Sequence, residues 1–309
     1  MEAQTTRSSV PLQNFSGILF VLGATLAFSS KSIWIKLLYQ QTAQIDAVTI
    51  MAIRMAIAIP FYLVALSIIR IRNNYNSVSI PYGGLTVLAF LGYYLSSFLD
   101  ISGLAYIPAG LERMILYLYP TMVVFLIARK NRRRIHRHEM IALASSYIGI
   151  ALIFYNGLSE HVPHLLLGSM LVLGAALSFS IYTVKSIDSI DRIGSMQFTV
   201  YTMLIGAVMT LIHFVASHGM QMPSYSGRIY MLSTALALTG TVIPSFLMAE
   251  GIRRIGADRT VLLGTLGPMA TIFLAMGILS EPVSNVQLVG SAIVIIGVFN
   301  LAGRSRTEK

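Results

Sequence analysis

Ten apolar stretches, separated by short polar joints, decide most of what this chain can fold into. They lie at Gly17 to Leu38, Asp46 to Ile69, Tyr82 to Ile101, Gly110 to Ala128 and Met140 to Tyr155, then at Leu165 to Val184, Ser195 to Ala216, Tyr230 to Leu247, Arg259 to Leu279 and Val286 to Ala302. We number them spans 1 to 10. Most have about 17 to 23 residues, the length that crosses a hydrocarbon layer of roughly 30 Å at 1.5 Å per residue. Inside such a layer the backbone must satisfy its own hydrogen bonds, and helices do so within one segment. The expected fold is therefore an all-α polytopic membrane protein with ten transmembrane helices. Composition agrees, because a chain that is 55% hydrophobic and 11% charged carries more apolar side chain than a soluble core encloses. It has no cysteine, which excludes disulfides, thiolate metal sites and thiol catalysis.

The basic residues sort by loop. Arg70 and Arg72 follow span 2, the Arg129 to Arg137 stretch follows span 4, Lys185 and Arg192 follow span 6, and Arg253, Arg254 and Arg259 lie between spans 8 and 9. These fall on one side with both termini, while the opposite loops hold Arg228 beside Glu160 and Glu281. The side rich in Lys and Arg is the cytoplasmic one. The expectation is a cytoplasmic (inner) membrane protein with cytoplasmic tails at residues 1–16 and 304–309, span 1 being retained. The net charge of +10 reads as topology, with the lipid bilayer as its partner and no nucleic acid.

The two halves repeat. Gly17, Val21, Leu22, Gly23, Ala24, Leu26, Phe28 and Ser29 recur 151 residues later as Gly168, Val172, Leu173, Gly174, Ala175, Leu177, Phe179 and Ser180. Ser97, Phe98, Leu99, Gly103, Ile107, Ala109, Leu118, Pro120, Phe125 and Leu126 recur 148 residues later as Ser245, Phe246, Leu247, Gly251, Ile255, Ala257, Leu266, Pro268, Phe273 and Leu274. Each repeat holds five spans, an odd number, so the second runs through the membrane in the opposite sense. Residues 17–157 and 165–303 form the two repeats. Inverted repeats have two nearly equivalent packings, one open to each side, which is the geometric basis of alternating access.

The segments GLAYIPA (Gly103 to Ala109) and LERMILYLYP (Leu111 to Pro120), their echoes GIRRIGA (Gly251 to Ala257) and GTLGP (Gly264 to Pro268), and Arg54 in span 2 resemble the EamA-type branch of the drug/metabolite transporter superfamily. The resemblance covers Gly17 to Ala302. It implies two inverted five-helix EamA repeats, a central cavity lined by both, and transport of a small-molecule substrate, often an amino acid leaving the cell. It names no cargo.

A charge at mid-bilayer costs about 2.5 to 3.5 kcal/mol on insertion scales, so a charged residue inside a span faces protein or a wet cavity. Lys31 and Lys36 in span 1, Arg54 in span 2, Asp100 in span 3 and Glu112 and Arg113 in span 4 all fall in the outer half, a local excess of two positive charges that suits an anionic or zwitterionic substrate. Tyr93, Ser97 and Asp100 share one face of span 3 by helical spacing, as do Glu112, Leu116 and Tyr119 on span 4. The substrate-binding or coupling candidates are Lys31, Arg54, Tyr93, Ser97, Asp100, Glu112, Arg113, Tyr117, Tyr119 and Tyr182, the repeat counterpart of Lys31, while Lys36 reads as snorkelling to the interface. The competing account is static pairing of Arg54 or Arg113 with Asp100 or Glu112. Because the charged set occupies only one repeat, we favour function. Pro120 and Pro268 occupy matching positions in spans 4 and 9, where a proline removes a backbone hydrogen bond and can kink or gate.

The histidines match no metal signature, and neither metal nor cofactor is expected. Thiol, GxSxG and HExxH chemistry are absent from the sequence, which disfavours a membrane-embedded enzyme. A non-transporting assembly protein leaves the inverted repeats without a purpose. Within transport, cationic drug efflux would call for an unpaired membrane acid, whereas here bases outnumber acids. No feature specifies an oligomeric state.

Overall fold

The computed structural model of the chain describes residues 9–42, 44–72, 82–132, 134, 137, 140, 141, 144, 145, 147–149, 151, 152, 155, 163–220, 224–255, 260, 263, 264 and 266–304. Among the described residues every regular element is helical. Span 1 is one helix, Ser9–Gln41, and spans 2, 6, 7 and 10 are Ala47–Arg72, Leu165–Ile193, Ser195–His218 and Asn285–Arg304. Spans 3 and 8 each carry a π-helical insertion. Span 3 reads Tyr82–Ala89, π Phe90–Leu95, Ser96–Leu104, and span 8 reads Gly227–Ala237, π Leu238–Val242, Ile243–Ile255. Span 4 is broken into Ala109–Leu116 and Tyr119–Lys130, while span 9 runs as Gly267–Leu274 and a π segment, Ala275–Leu279. Seven helical segments, spans 1 to 4 and 6 to 8, are long and apolar enough to cross a membrane, and Gly267–Leu279 is a shorter apolar helix. The described residues of span 5 are helical, but the span as a continuous helix lies outside the described residues.

Two boundaries differ from the sequence reading. Span 6 continues to Ile193, so Lys185 and Arg192 ride on its helix rather than in a loop. Nothing in that segment breaks a helix until Gly194, whose φ of 82° supplies the left-handed residue that ends it. Span 8 likewise continues to Ile255 and carries Arg253 and Arg254 on its last turns. There Arg254 lies one helical turn from Glu250, with Nε donating to Oε1 at 2.7 Å, a spacing at which opposite charges support a helix.

The two-repeat plan governs the packing. Span 1 crosses span 8 with Gly17 and Gly251 in the contact, and a Cβ on Gly17 would run into Ile255 while one on Gly251 would run into Val21. Span 6 crosses span 3 through the equivalent residues, where a Cβ on Gly168 would meet Ile107 and one on Gly103 would meet Val172. Glycine at these four points lets backbones approach closely, the common solution where lipid supplies no hydrophobic drive between helices.

The helix breaks follow the same symmetry. Leu118 N–H donates to Ile115 O at 3.0 Å and Leu266 N–H to Leu263 O at 3.2 Å, a tightened turn before each proline. Pro120 and Pro268 then sit in the first turn of a new helix, where the missing N–H costs little. The expected kink is therefore a full interruption. Ser29 Oγ lies 2.7 Å from Thr25 O and 3.0 Å from Gly267 O. Its counterpart Ser180 Oγ lies 2.6 Å from Ala176 O and 3.1 Å from Tyr119 O. Each hydroxyl therefore stitches one half to the broken helix of the other.

The largest buried cluster joins Ile33, Ile35 and Leu38 of span 1 to Ile50 and Met51 of span 2, Ile101 and Leu104 of span 3, and Leu232 and Leu236 of span 8. Large apolar side chains such as Leu19, Leu26, Val64 and Ile212 stay more than half exposed on the outside of the bundle, the surface a lipid-facing helix presents.

Candidate functional site

Spans 1 to 4 bring five of the predicted charged residues into one cluster. Lys31 Nζ donates to Asp100 Oδ2 at 2.5 Å, and the Asp100 side chain is 2% exposed. Ser32 Oγ donates to Glu112 Oε2 at 2.6 Å. Glu112, Arg54 and Arg113 all act electrostatically on Asp100. The pairings differ from those expected for a static network, since Asp100 takes Lys31 and Glu112 takes a serine. Arg54 is 3% exposed, and its Nε and Nη2, together with Arg113 Nε and Asp100 Oδ1, are buried without a hydrogen-bond partner. Buried guanidinium N–H groups left unpaired are costly, and the cluster thus holds unused donors beside an unused acceptor.

Arg113 faces the second half. Its Nη2 lies 3.6 Å from the position a Cβ on Gly267 would take, beside Thr25 and Ser29, so it meets the helix break of span 9. Tyr117 faces the same region, its hydroxyl 3.8 Å from the equivalent point on Gly264.

A chain of aromatic rings leads from there to the other candidates. Tyr117 meets Tyr119 at 6.2 Å between centroids, Tyr119 meets Phe179 at 5.3 Å, Phe179 meets Tyr182 at 5.4 Å and Tyr182 meets Tyr93 at 5.4 Å. The last pair also share a hydroxyl hydrogen bond of 3.0 Å. Tyr93 thus faces spans 6 and 7, and Asp100 faces span 1. Helical spacing puts them on one face, but the π insertion at Phe90–Leu95 adds a residue to the turn and shifts the register between them. Ser97 is half-buried on span 3, while its neighbour Ser96 makes the contact to span 6, donating to Ala175 O at 3.2 Å.

The π insertions also build two equivalent sockets. The ring of Tyr182 lies against Gly92, where a Cβ would come within 2.5 Å of Cδ2. In the other half Lys31 lies against Gly240, where a Cβ would come within 3.3 Å of the lysine Cβ. Lys31 and Tyr182 are repeat counterparts, as are Gly92 and Gly240, so one socket presents an ammonium group and the other a phenol. The sequence held this signal in the matched glycines 148 residues apart.

Two contacts that the sequence reading missed flank the site. Trp34 Nε1 donates to Thr239 Oγ1 at 2.9 Å, tying span 1 to the insertion in span 8. Glu281, beyond span 9, accepts from Ala109 N–H at the head of span 4. Among the described residues no group of three or more His, Asp or Glu could hold a metal ion.

Comparison with known proteins adds a family to this geometry. The chain is 30% identical over 279 residues to an uncharacterized transporter, YcbK, of Bacillus subtilis, covering 89% of each protein. It is 23% identical over 201 residues to a probable amino-acid metabolite efflux pump of Escherichia coli, covering 62% of this chain and 67% of that one. A solved crystal structure, 20% identical, superimposes with a TM-score of 0.61 over 97% of this chain and 99% of that chain, which shows a shared fold. These relatives are named as transporters, not enzymes. The model of the EamA-like transporter family matches twice, at residues 15–155 and 166–302. An apolar helical bundle whose halves meet through equivalent residues, with both halves matched in this way, makes the chain a multi-pass membrane protein that belongs to the EamA-like transporter family.

Proposed function

We propose that the chain is a ten-helix secondary transporter of the cytoplasmic membrane, working by alternating access between inverted repeats at residues 17–157 and 165–303, with both termini in the cytoplasm. Its cargo is an amino acid or a related zwitterionic or anionic metabolite, and its direction is export. The observation that carries this reading is the set of unpartnered atoms in the buried cluster. Arg54 Nε and Nη2 and Arg113 Nε are free donors for a carboxylate, and Asp100 Oδ1 is a free acceptor for an ammonium group. A zwitterion satisfies both kinds at once, and guanidinium groups suit carboxylates geometrically. The tyrosines and phenylalanines beside the cluster supply the apolar lining common to small-molecule sites. The efflux role named for the Escherichia coli relative points the same way.

The test is a thermal-shift screen of purified protein against the common amino acids, sugar phosphates and nucleobases. For each amino acid that stabilises, the corresponding amine lacking the carboxylate and the acid lacking the amino group are compared, followed by counterflow in liposomes. The expected result is an amino acid that binds at least about tenfold more tightly than either half-molecule, because each leaves buried polar groups unpaired. An amine binding as well as the zwitterion would overturn the reading in favour of cation efflux.

A second reading is favoured by the two carboxylates, Asp100 and Glu112, that lie buried in one cluster and act on each other electrostatically. Two carboxylates that share a buried site disfavour each other's charged form. The pair therefore supports a proton as the coupling ion.

A further inference from the structure

Two polar contacts bridge the halves at opposite ends of the bundle, and neither belongs to the charged cluster. At the end where span 4 begins, Glu281 reaches across from the second half. Both of its carboxylate oxygens accept from Ala109 N–H, at 3.1 and 3.0 Å. Ala109 opens the first helix of span 4, so this N–H has no partner within the helix, and a carboxylate is favoured there by charge. The reach is built into the turn. Ser280 holds a left-handed φ of 54°, Glu281 N–H returns to Ala275 O at 3.3 Å, and Pro282 follows. The held helix carries Glu112 and Arg113 on its next turn, and Lys36 acts electrostatically on both Glu281 and Glu112. Behind the contact lies a small cavity lined by Met114, Ile272 and Val283.

At the end where span 1 begins, Arg254 bridges span 8 to span 1. Its Nη1 donates to Ser16 Oγ at 2.7 Å, and its guanidinium lies 4.6 Å from the centroid of the Phe20 ring. Glu250 steadies it through Nε at 2.7 Å. The counterpart of Arg254 in the other half is Tyr106, which meets His164 ring to ring at 5.7 Å. Each end therefore has its own latch rather than a copy of the other.

We propose that Glu281 and Arg254 are positioning residues that act as the two gate latches of the transport cycle, one for each entrance. The proposal rests on the alternating-access reading, in which the halves must part at one end while meeting at the other. Both latches are engaged in this structure. Breaking either latch biases the population toward opening at that end and away from opening at the other.

Because the chain has no cysteine, one introduced thiol reports alone. Met114→Cys sits behind the Glu281 latch, and Val21→Cys sits where span 1 meets Gly251 beside the other. Each reporter is labelled with a hydrophilic maleimide on purified full-length protein in detergent. Glu281→Ala is expected to raise the labelling rate at position 114 about tenfold or more, the factor carried by a charge-assisted hydrogen bond, and to lower it at position 21. Arg254→Ala should do the reverse. Glu281→Gln, which keeps one acceptor for Ala109, should fall between wild type and alanine, whereas a general loss of structure would raise both rates in every variant. An unchanged rate at position 114 in Glu281→Ala overturns the latch. If both alanine variants instead raise labelling at both reporters while unfolding as sharply as wild type, the ends open together and alternating access itself is overturned.

Discussion

Asp100 is the hub of the buried cluster, and this makes the two ends of its ion pair unequal. Lys31, Arg54 and Arg113 all act on its one carboxylate. Lys31→Met removes a single partner and leaves two guanidinium groups to compensate Asp100. The loss is then one charge-assisted hydrogen bond, about 1.5 to 3 kcal/mol. Asp100→Asn removes the carboxylate that three cations share and leaves Glu112 as the remaining acid of the cluster. Removing one partner of a buried ionic group costs about 3 to 5 kcal/mol. At roughly 2 °C per kcal/mol for a chain of this size, the midpoint of thermal unfolding in detergent should fall by about 3 to 6 °C for Lys31→Met and by about 6 to 10 °C for Asp100→Asn. The single tryptophan makes the assay local, because Trp34 bonds across the contact between spans 1 and 8 and its fluorescence follows the parting of the halves. A fall for Lys31→Met equal to or larger than that for Asp100→Asn would refute the hub and return the site to a simple pair.

The two sockets should respond unequally to an added methyl group. Gly92→Ala drives a Cβ into the Tyr182 ring, which also stacks on Phe198 at 5.9 Å, and overpacking of this kind costs about 1 to 3 kcal/mol. Gly240→Ala meets the lysine stem at 3.3 Å and should shift the unfolding midpoint less; equal shifts would contradict the geometry. For coupling, Glu112→Gln keeps a donor toward Asp100 but cannot release a proton. Substrate exchange in liposomes should survive while accumulation driven by a pH gradient is lost, and retained accumulation would remove the carboxyl pair from the coupling step.

The span lengths, the repeat and the family were legible because each is written in many residues at once. A helix that must cross about 30 Å needs a long apolar run, and the matched positions from Gly17 to Ser180 and from Ser97 to Leu274 add up across both halves. The charged residues were legible as a set, since a few ions in an apolar chain stand out. Their partners were not. Pairing depends on helix rotation, and the π insertions at Phe90–Leu95 and Leu238–Val242 change that rotation with a single glycine each, Gly92 and Gly240, to announce them. Hence Tyr93 turns toward Tyr182 while Asp100 turns toward Lys31, although helical spacing puts both on one face. The contacts of Glu281 and Ser32 were hidden for another reason: each is a single side chain meeting a distant segment, and such a meeting leaves no periodic trace.

The paired sockets also bear on how a protein of this architecture can change its chemistry. The glycine crossings at Gly17 and Gly251, and at Gly103 and Gly168, leave no space for a side chain, so in each half they constrain the shape on which motion depends. The residue lying on each π insertion is under no such limit, for in one half it is a lysine and in the other a tyrosine. An ancestral duplication with this layout can exchange the chemistry of one seat while leaving the crossings untouched. A change of chemistry at one seat is then a matter of substituting a side chain in one half, with the packing of both halves inherited whole.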